Sequence, residues 1–100
     1  MSAYVVMVRE RTTDTEAMAR YRELAPRARQ GRDMSSVAHY GAHQVLEGEE
    51  VEGIAILQFP SMAAAREWYE SPEYSEARAN RLQGSDAKVF LVEGNAPPIA

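Results

Sequence analysis

The sequence predicts an α+β sandwich whose elements run strand, helix, strand, strand, helix, strand. Short β-branched and aromatic runs stand at Tyr4–Val8, Gly53–Phe59 and Lys88–Val92. Amphipathic stretches with capping residues lie between them, and Gly or Pro marks most joints. The chain has 100 residues, 45% hydrophobic and 26% charged, which suits one globular domain and excludes disordered, collagen-like and coiled-coil classes. Residues 1–94 are read as that domain and Asn95–Ala100, containing Pro97 and Pro98, as a tail.

Each element has a local cause. Tyr4-Val5-Val6-Met7-Val8 makes the first strand, which gives way to charge at Arg9-Glu10-Arg11. Thr13 or Asp14 starts a helix by accepting from free first-turn amides, and Glu16 suits the positive helix end. Met18, Tyr21, Leu24, Ala25 and Ala28 recur at three- and four-residue steps, so this helix is amphipathic. Pro26 deletes one backbone bond within that pattern; a kink or restart is expected near Leu24-Ala25, and a stop at Gly31. Ser35–Tyr40 is a weaker strand, broken by Gly41 and resumed at Gln44–Glu47, before a charged turn at Glu47–Glu50. Gly53–Phe59 is a strand ended by Pro60. Ser61 caps a helix through Tyr69, and Ser71-Pro72 repeats the device for a piece reaching Leu82, with Gly84 as its C-terminal cap. Lys88–Val92 is the last strand. The order is the split βαβ, or ferredoxin-like, arrangement: a four-stranded antiparallel sheet with helices on one face.

Three strands are apolar at odd and even positions alike. Tyr4, Val6 and Val8 oppose Val5 and Met7; Ile54 and Ile56 oppose Ala55 and Leu57; Val89 and Leu91 oppose Phe90 and Val92. A sheet with one wet face would alternate apolar with polar residues. Two helices cover a single face, so the expected cover for the other is a second copy, in a homodimer that presses sheet on sheet.

Composition narrows the function. A net charge of −4, from 15 acids against 11 bases, argues against nucleic acid as a partner. Arg20, Arg22, Arg27, Arg29 and Arg32 crowd one segment with only Glu23 as an acid. They read as a solvated face pairing with Glu47, Glu49, Glu50 and Glu52, the alternative being phosphate contact. Absence of Cys removes disulfides, thiolate catalysis and Cys-ligated metals. Apolar runs fall short of a membrane span and Met1–Val6 has no basic leader, so no membrane partner and a cytoplasmic location are expected. There is no P-loop, dinucleotide glycine motif, nucleophile elbow or H-E-x-x-H, and neither cofactor nor metal is expected.

A few residues can carry chemistry. His39 and His43 flank Gly41 in an extended segment, where their spacing separates them by about 13 Å, too far to share a metal. His39 alone can act as a general base, or be a solvated or structural histidine. Tyr74, Arg78 and Arg81 fall at i, i+4 and i+7, one helical face bearing a phenol and two guanidinium groups. Such arginines grip a carboxylate or enolate oxygen, or pair structurally with Glu47 or Glu93. Trp68 reads as core packing or as an apolar pocket wall.

Several strings carry a resemblance: Leu46-Glu47-Gly48, Phe59-Pro60-Ser61, Trp68-Tyr69-Glu70-Ser71-Pro72-Glu73-Tyr74, Arg78, Arg81 and Val92-Glu93-Gly94. Together they resemble the DUF1330 family of small bacterial proteins, most specifically around Trp68–Tyr74. The Gly-Gly usual after the first helix is here Gln30-Gly31-Arg32, and the usual Arg-Gly-Gly near the second strand is His39-Tyr40-Gly41-Ala42. The resemblance implies the dimeric α/β-barrel superfamily, with its working pocket between helices and sheet. That superfamily includes cofactor-free monooxygenases, small isomerases, lactone-processing and haem-handling enzymes, and ligand-binding domains without chemistry. Fold analogy does not choose among them. The expected function is a cytoplasmic homodimer that binds or transforms a small anionic or carbonyl-bearing organic molecule. In it His39 and Tyr74 handle protons, Arg78 and Arg81 meet the anion, and Trp68 walls the pocket. The alternative is a non-catalytic dimerisation or protein-interaction module with a purely structural interior.

Overall fold

The computed structural model describes residues 2–95; most of the tail expected from Asn95 onward lies outside them. Its elements are β1 (Ala3–Thr12), α1 (Thr15–Leu24), a 3₁₀ segment (Ala25–Arg29), β2 (Ser35–His39), β3 (Gly53–Phe59), α2 (Met62–Glu70), α3 (Pro72–Gly84) and β4 (Ser85–Glu93). The strands form one antiparallel sheet in the order β2-β3-β1-β4, the ferredoxin-like arrangement. Val5 and Met7 of β1, Ala55, Leu57 and Phe59 of β3, and Val89 and Leu91 of β4 meet the helices in the core.

Caps fix where the helices begin. Asp14, rather than Thr13, accepts from the amides of Glu16 and Ala17. Ser61 accepts from Ala64, and Ser71 both accepts from Tyr74 and donates to the Trp68 carbonyl at 2.7 Å, joining α2 to α3 at a fixed angle. The break near Leu24-Ala25 takes the form of a tightening into the 3₁₀ segment that contains Pro26. Gly31 follows in the left-handed region at φ 73°.

Four local expectations change. β2 stops at His39, and no strand resumes at Gln44–Glu47, because His39 already pairs with Ala55 close to the start of β3 at Gly53, and residues 41–52 form an irregular loop. β1 and β4 run longer than their apolar cores, since they pair with each other from Ala3–Glu93 to Thr12–Ser85, with a bulge between Arg9 and Arg11. Gly84 ends α3 as a contact rather than a left-handed cap. Its carbonyl accepts from the Thr13 and Asp14 amides, and a Cβ there would stand 2.9 Å from Met18 Cγ and 3.0 Å from the Asp14 carbonyl oxygen. The acids expected to pair with the arginine stripe do not do so among the described residues. Glu52 instead meets Arg9 at 2.9 Å and both the amide and hydroxyl of Thr12.

The second sheet face carries Val6, Val8, Ile54, Ile56, Phe90 and Val92, with Phe90 52% and Val92 50% exposed. Among the described residues nothing covers it, and no helix is long and apolar enough to cross a membrane.

The approach of α1 to α3 at Gly84 has a measurable cost when filled. Gly84→Ala is expected to lower the unfolding free energy by about 1–3 kcal/mol in urea denaturation, because the blocking atom at Asp14 is backbone and cannot swing away.

Candidate functional site

Between the sheet, α1 and the 3₁₀ segment lies a cavity of about 450 Å³. Its inner wall is apolar and aromatic: Met7, Ala55 and Leu57 from the sheet, Met18 and Tyr21 from α1, Trp68 from α2 and Tyr74 from α3. Its mouth is polar, with Arg9, Arg22, Arg29, Ser36, His39 and Tyr40. Ala25 and Pro26 complete the wall where the helix has tightened.

The aromatic wall is one packed unit. Trp68 and Tyr74 stack with ring centroids 4.1 Å apart, Phe59 tilts against Trp68 at 5.3 Å, and Tyr21 meets Tyr74 edge-on. The Tyr21 and Tyr74 hydroxyls share a hydrogen bond of 2.8 Å across 53 residues of chain. Burial pushes both phenols above the ordinary phenol range. For Tyr21 the neighbouring Tyr74 adds to the rise; for Tyr74 the hydrogen bond shared with Tyr21 and the charge of Arg81 oppose it. Both therefore remain protonated at neutral pH. Trp68 Nε1 is buried and finds no hydrogen-bond partner among the described residues.

Tyr40 is held in an uncommon conformation at φ 55°. Its amide donates to Ile54, Arg9 lies 4.6 Å over its ring, and the ring packs so closely on Gly53 that a Cβ there would fall 2.6 Å away. Burial raises its phenol pKa, against the lowering charges of Arg9 and Arg81. Strain held by three separate contacts marks this edge of the mouth as a shaped position. Glu52, accepting from Thr12 and beside Arg9, has its carboxyl held below the usual carboxylate range, which keeps Arg9 anchored.

The structure separates the expected site residues. Trp68 and Tyr74 line the inner wall and His39 lies at the mouth, edge-on to Tyr40. Arg81 does not line the cavity; it is 5% exposed behind the phenols, its charge is felt by Tyr21, Tyr40 and Tyr74, and its Nε has no partner among the described residues. Arg78 lies elsewhere, 4.4 Å over the Tyr69 ring and donating to the Tyr69 carbonyl. Neither pairs with Glu47 or Glu93 among the described residues. His43 Nε2 donates to the Val51 carbonyl, and no group of three His, Asp or Glu able to hold a metal occurs among the described residues.

Sequence reasoning missed Tyr21, Tyr40, Arg9, Arg22 and Arg29. Arg22 and Arg29 belong to the stripe read as a solvated face, and spacing does not separate them from Arg20 and Arg27, which are also seven residues apart; the contact of Arg29 with Ser36 on β2 is a feature of the fold alone.

The model of a family described as a domain of unknown function, DUF1330, matches residues 2–95. The chain belongs to the DUF1330 family. Among solved structures, this DUF1330 chain is similar to a protein of unknown function from Rhodopseudomonas palustris, at 21% identity and TM-score 0.76, covering 96% of this chain and 84% of that one. A dimeric protein of unknown function and ferredoxin-like fold from Bacteroides fragilis matches at 11% identity and TM-score 0.62, over 93% and 96%. SnoaB, a cofactor-independent oxygenase from Streptomyces nogalater, matches at 12% identity and TM-score 0.59, over 96% and 94%. At these identities the likeness is one of fold. No curated protein matches the chain.

The buried phenols generate a pH prediction. A group whose folded pKa lies above its unfolded value of 10.0 favours the fold below pH 10 and loses that advantage as pH rises further. Stability is expected to fall above pH 10, by up to about 1.4 kcal/mol per pH unit for Tyr21, with Tyr74 adding to the fall in the same direction. Urea unfolding at stepped pH checks this, and Tyr21→Phe together with Tyr74→Phe flattens the slope.

Proposed function

We propose that this DUF1330 protein works as a cytoplasmic homodimer whose helix–sheet cavity binds or transforms a small, largely apolar organic molecule bearing an anionic or carbonyl group. The observation that carries the reading is the cavity itself, an aromatic interior of about 450 Å³ opening at a mouth of arginines and an imidazole. A module with a purely structural interior would fill that space with side chains, since voids between packed elements cost stability.

Roles follow from position. Trp68 supplies an apolar face. The neutral Tyr74 hydroxyl, kept protonated by burial, is suited to donate to a carbonyl or developing oxyanion, with Arg81 biasing the phenols from behind. His39 stands where it can exchange a proton with a ligand in the mouth. Arg78 has no part in this reading because it stacks on Tyr69. The polar end of the ligand is given to phenol, imidazole and guanidinium groups, as no three metal-ligating groups converge among the described residues. The cofactor-independent oxygenase among similar structures supports the compatibility of such a fold with cofactor-independent oxygenase chemistry.

The homodimer rests on the uncovered apolar sheet face and on its twofold economy, and similar folds are described as dimeric. Light scattering is expected to give twice the chain mass at micromolar concentration. Phe90→Glu, which places a charge in the half-exposed apolar face, is expected to give a monomer; a monomeric wild-type protein would contradict this part of the reading.

Trp68 is the only tryptophan, so its indole N–H gives a unique NMR signal inside the wall. Titration with small aromatic and aliphatic acids, ketones and amides is expected to move that signal for a subset at submillimolar concentration. A signal unmoved by every compound at millimolar concentration would sink the ligand-binding reading.

A further inference from the structure

The charges around the cavity define its ligand more narrowly; the inference rests on the binding reading above. The chain holds 15 acids against 11 bases, yet the cavity lining contains three arginines and no Asp or Glu. Arg9 is already engaged by Glu52. Arg22 and Arg29 form no salt bridge among the described residues, and Arg29 makes only a 3.4 Å contact to the Ser36 hydroxyl. Two guanidinium groups without an acid partner line one mouth, where a bound anion would meet unneutralised positive charge. The planar fork of guanidinium matches the two oxygens of a carboxylate.

Behind the mouth the walls are aromatic rings and thioethers: Tyr21, Trp68, Tyr74, Met7 and Met18. Flat aromatic faces and polarisable sulfur favour a planar ring system. A dry cavity of about 150 Å³ holds one benzene ring. The 450 Å³ here therefore has room for two fused rings and their carboxylate.

We propose that the cavity binds bicyclic aryl carboxylates, with the rings against Trp68 and Tyr74 and the carboxylate on Arg22 and Arg29. Isothermal titration calorimetry at low ionic strength with 2-naphthoate, 2-naphthamide and 2-naphthyl phosphate tests it. The naphthoate is expected to bind about tenfold or more tightly than the amide, and the advantage to shrink as salt rises. It is expected to vanish in Arg22→Gln/Arg29→Gln and to persist in Arg27→Gln, an exposed member of the same stripe outside the lining. Each single Gln variant is expected to lose part of it, with circular dichroism reporting the fold of every variant.

Equal affinity for naphthoate and naphthamide overturns the carboxylate assignment and leaves the binding reading standing. Tighter binding of the phosphate also overturns it. A naphthoate preference that survives in the folded double variant overturns the role of Arg22 and Arg29. Failure of all three probes at millimolar concentration overturns this inference, while the wider titration of the Trp68 signal decides the binding reading separately.

Discussion

The hydrogen bond between Tyr21 and Tyr74 ties the first half of the chain to the second inside the protein's most aromatic region. Both phenols are buried, so each hydroxyl needs a partner, and each finds the other. That requirement sets the distance between α1 and α3, which Gly84 allows to close where α3 ends against Ala17 and Met18. Ser71 fixes the other end by turning α2 into α3 and bringing Trp68 over Tyr74. The wall is thus assembled from three helices before the cavity has any ligand to shape it.

The cavity opens where helical regularity fails. α1 stops at Leu24 and Pro26 tightens the chain, so the space over β2 and the near edge of β3 is faced by a short 3₁₀ segment instead of a full helix. Arg29, at the end of the 3₁₀ segment, lines the same cavity as Arg22. On the opposite side, Tyr40 bends out of the strand in a left-handed conformation that the bare backbone of Gly53 accommodates. An aromatic interior with a cationic entrance follows from a proline, a glycine and a capped helix pair, on a chain whose net charge is negative.

Much of this was legible in the sequence, and the limits have physical causes. Ser61, Ser71, Asp14, Pro26 and the apolar runs act locally, so they located the helices and three strands directly. Trp68 and Tyr74 are legible as candidate site residues, but their stacking is not, because it depends on the angle that Ser71 sets between α2 and α3. Arg78 and Arg81 were placed on one face by helical spacing, but spacing does not say which face meets a cavity. The Tyr69 ring captures Arg78, and Arg81 turns inward behind the phenols. Tyr40 and the division of the arginine stripe were out of reach, since both depend on contacts with Gly53 and β2 that are distant in sequence. The second half of Ser35–Glu47 lost its strand because the β3 edge pairs only as far as His39, which no local propensity reports.

The central claim is that this interior is a receptor and not a packing defect. A crystal structure of the protein grown with 2-naphthoate tests it most directly. The account predicts ring density against Trp68 and Tyr74, with carboxylate density between the guanidinium groups of Arg22 and Arg29. A cavity that has closed over its own side chains, with the naphthoate absent or bound elsewhere, would contradict it.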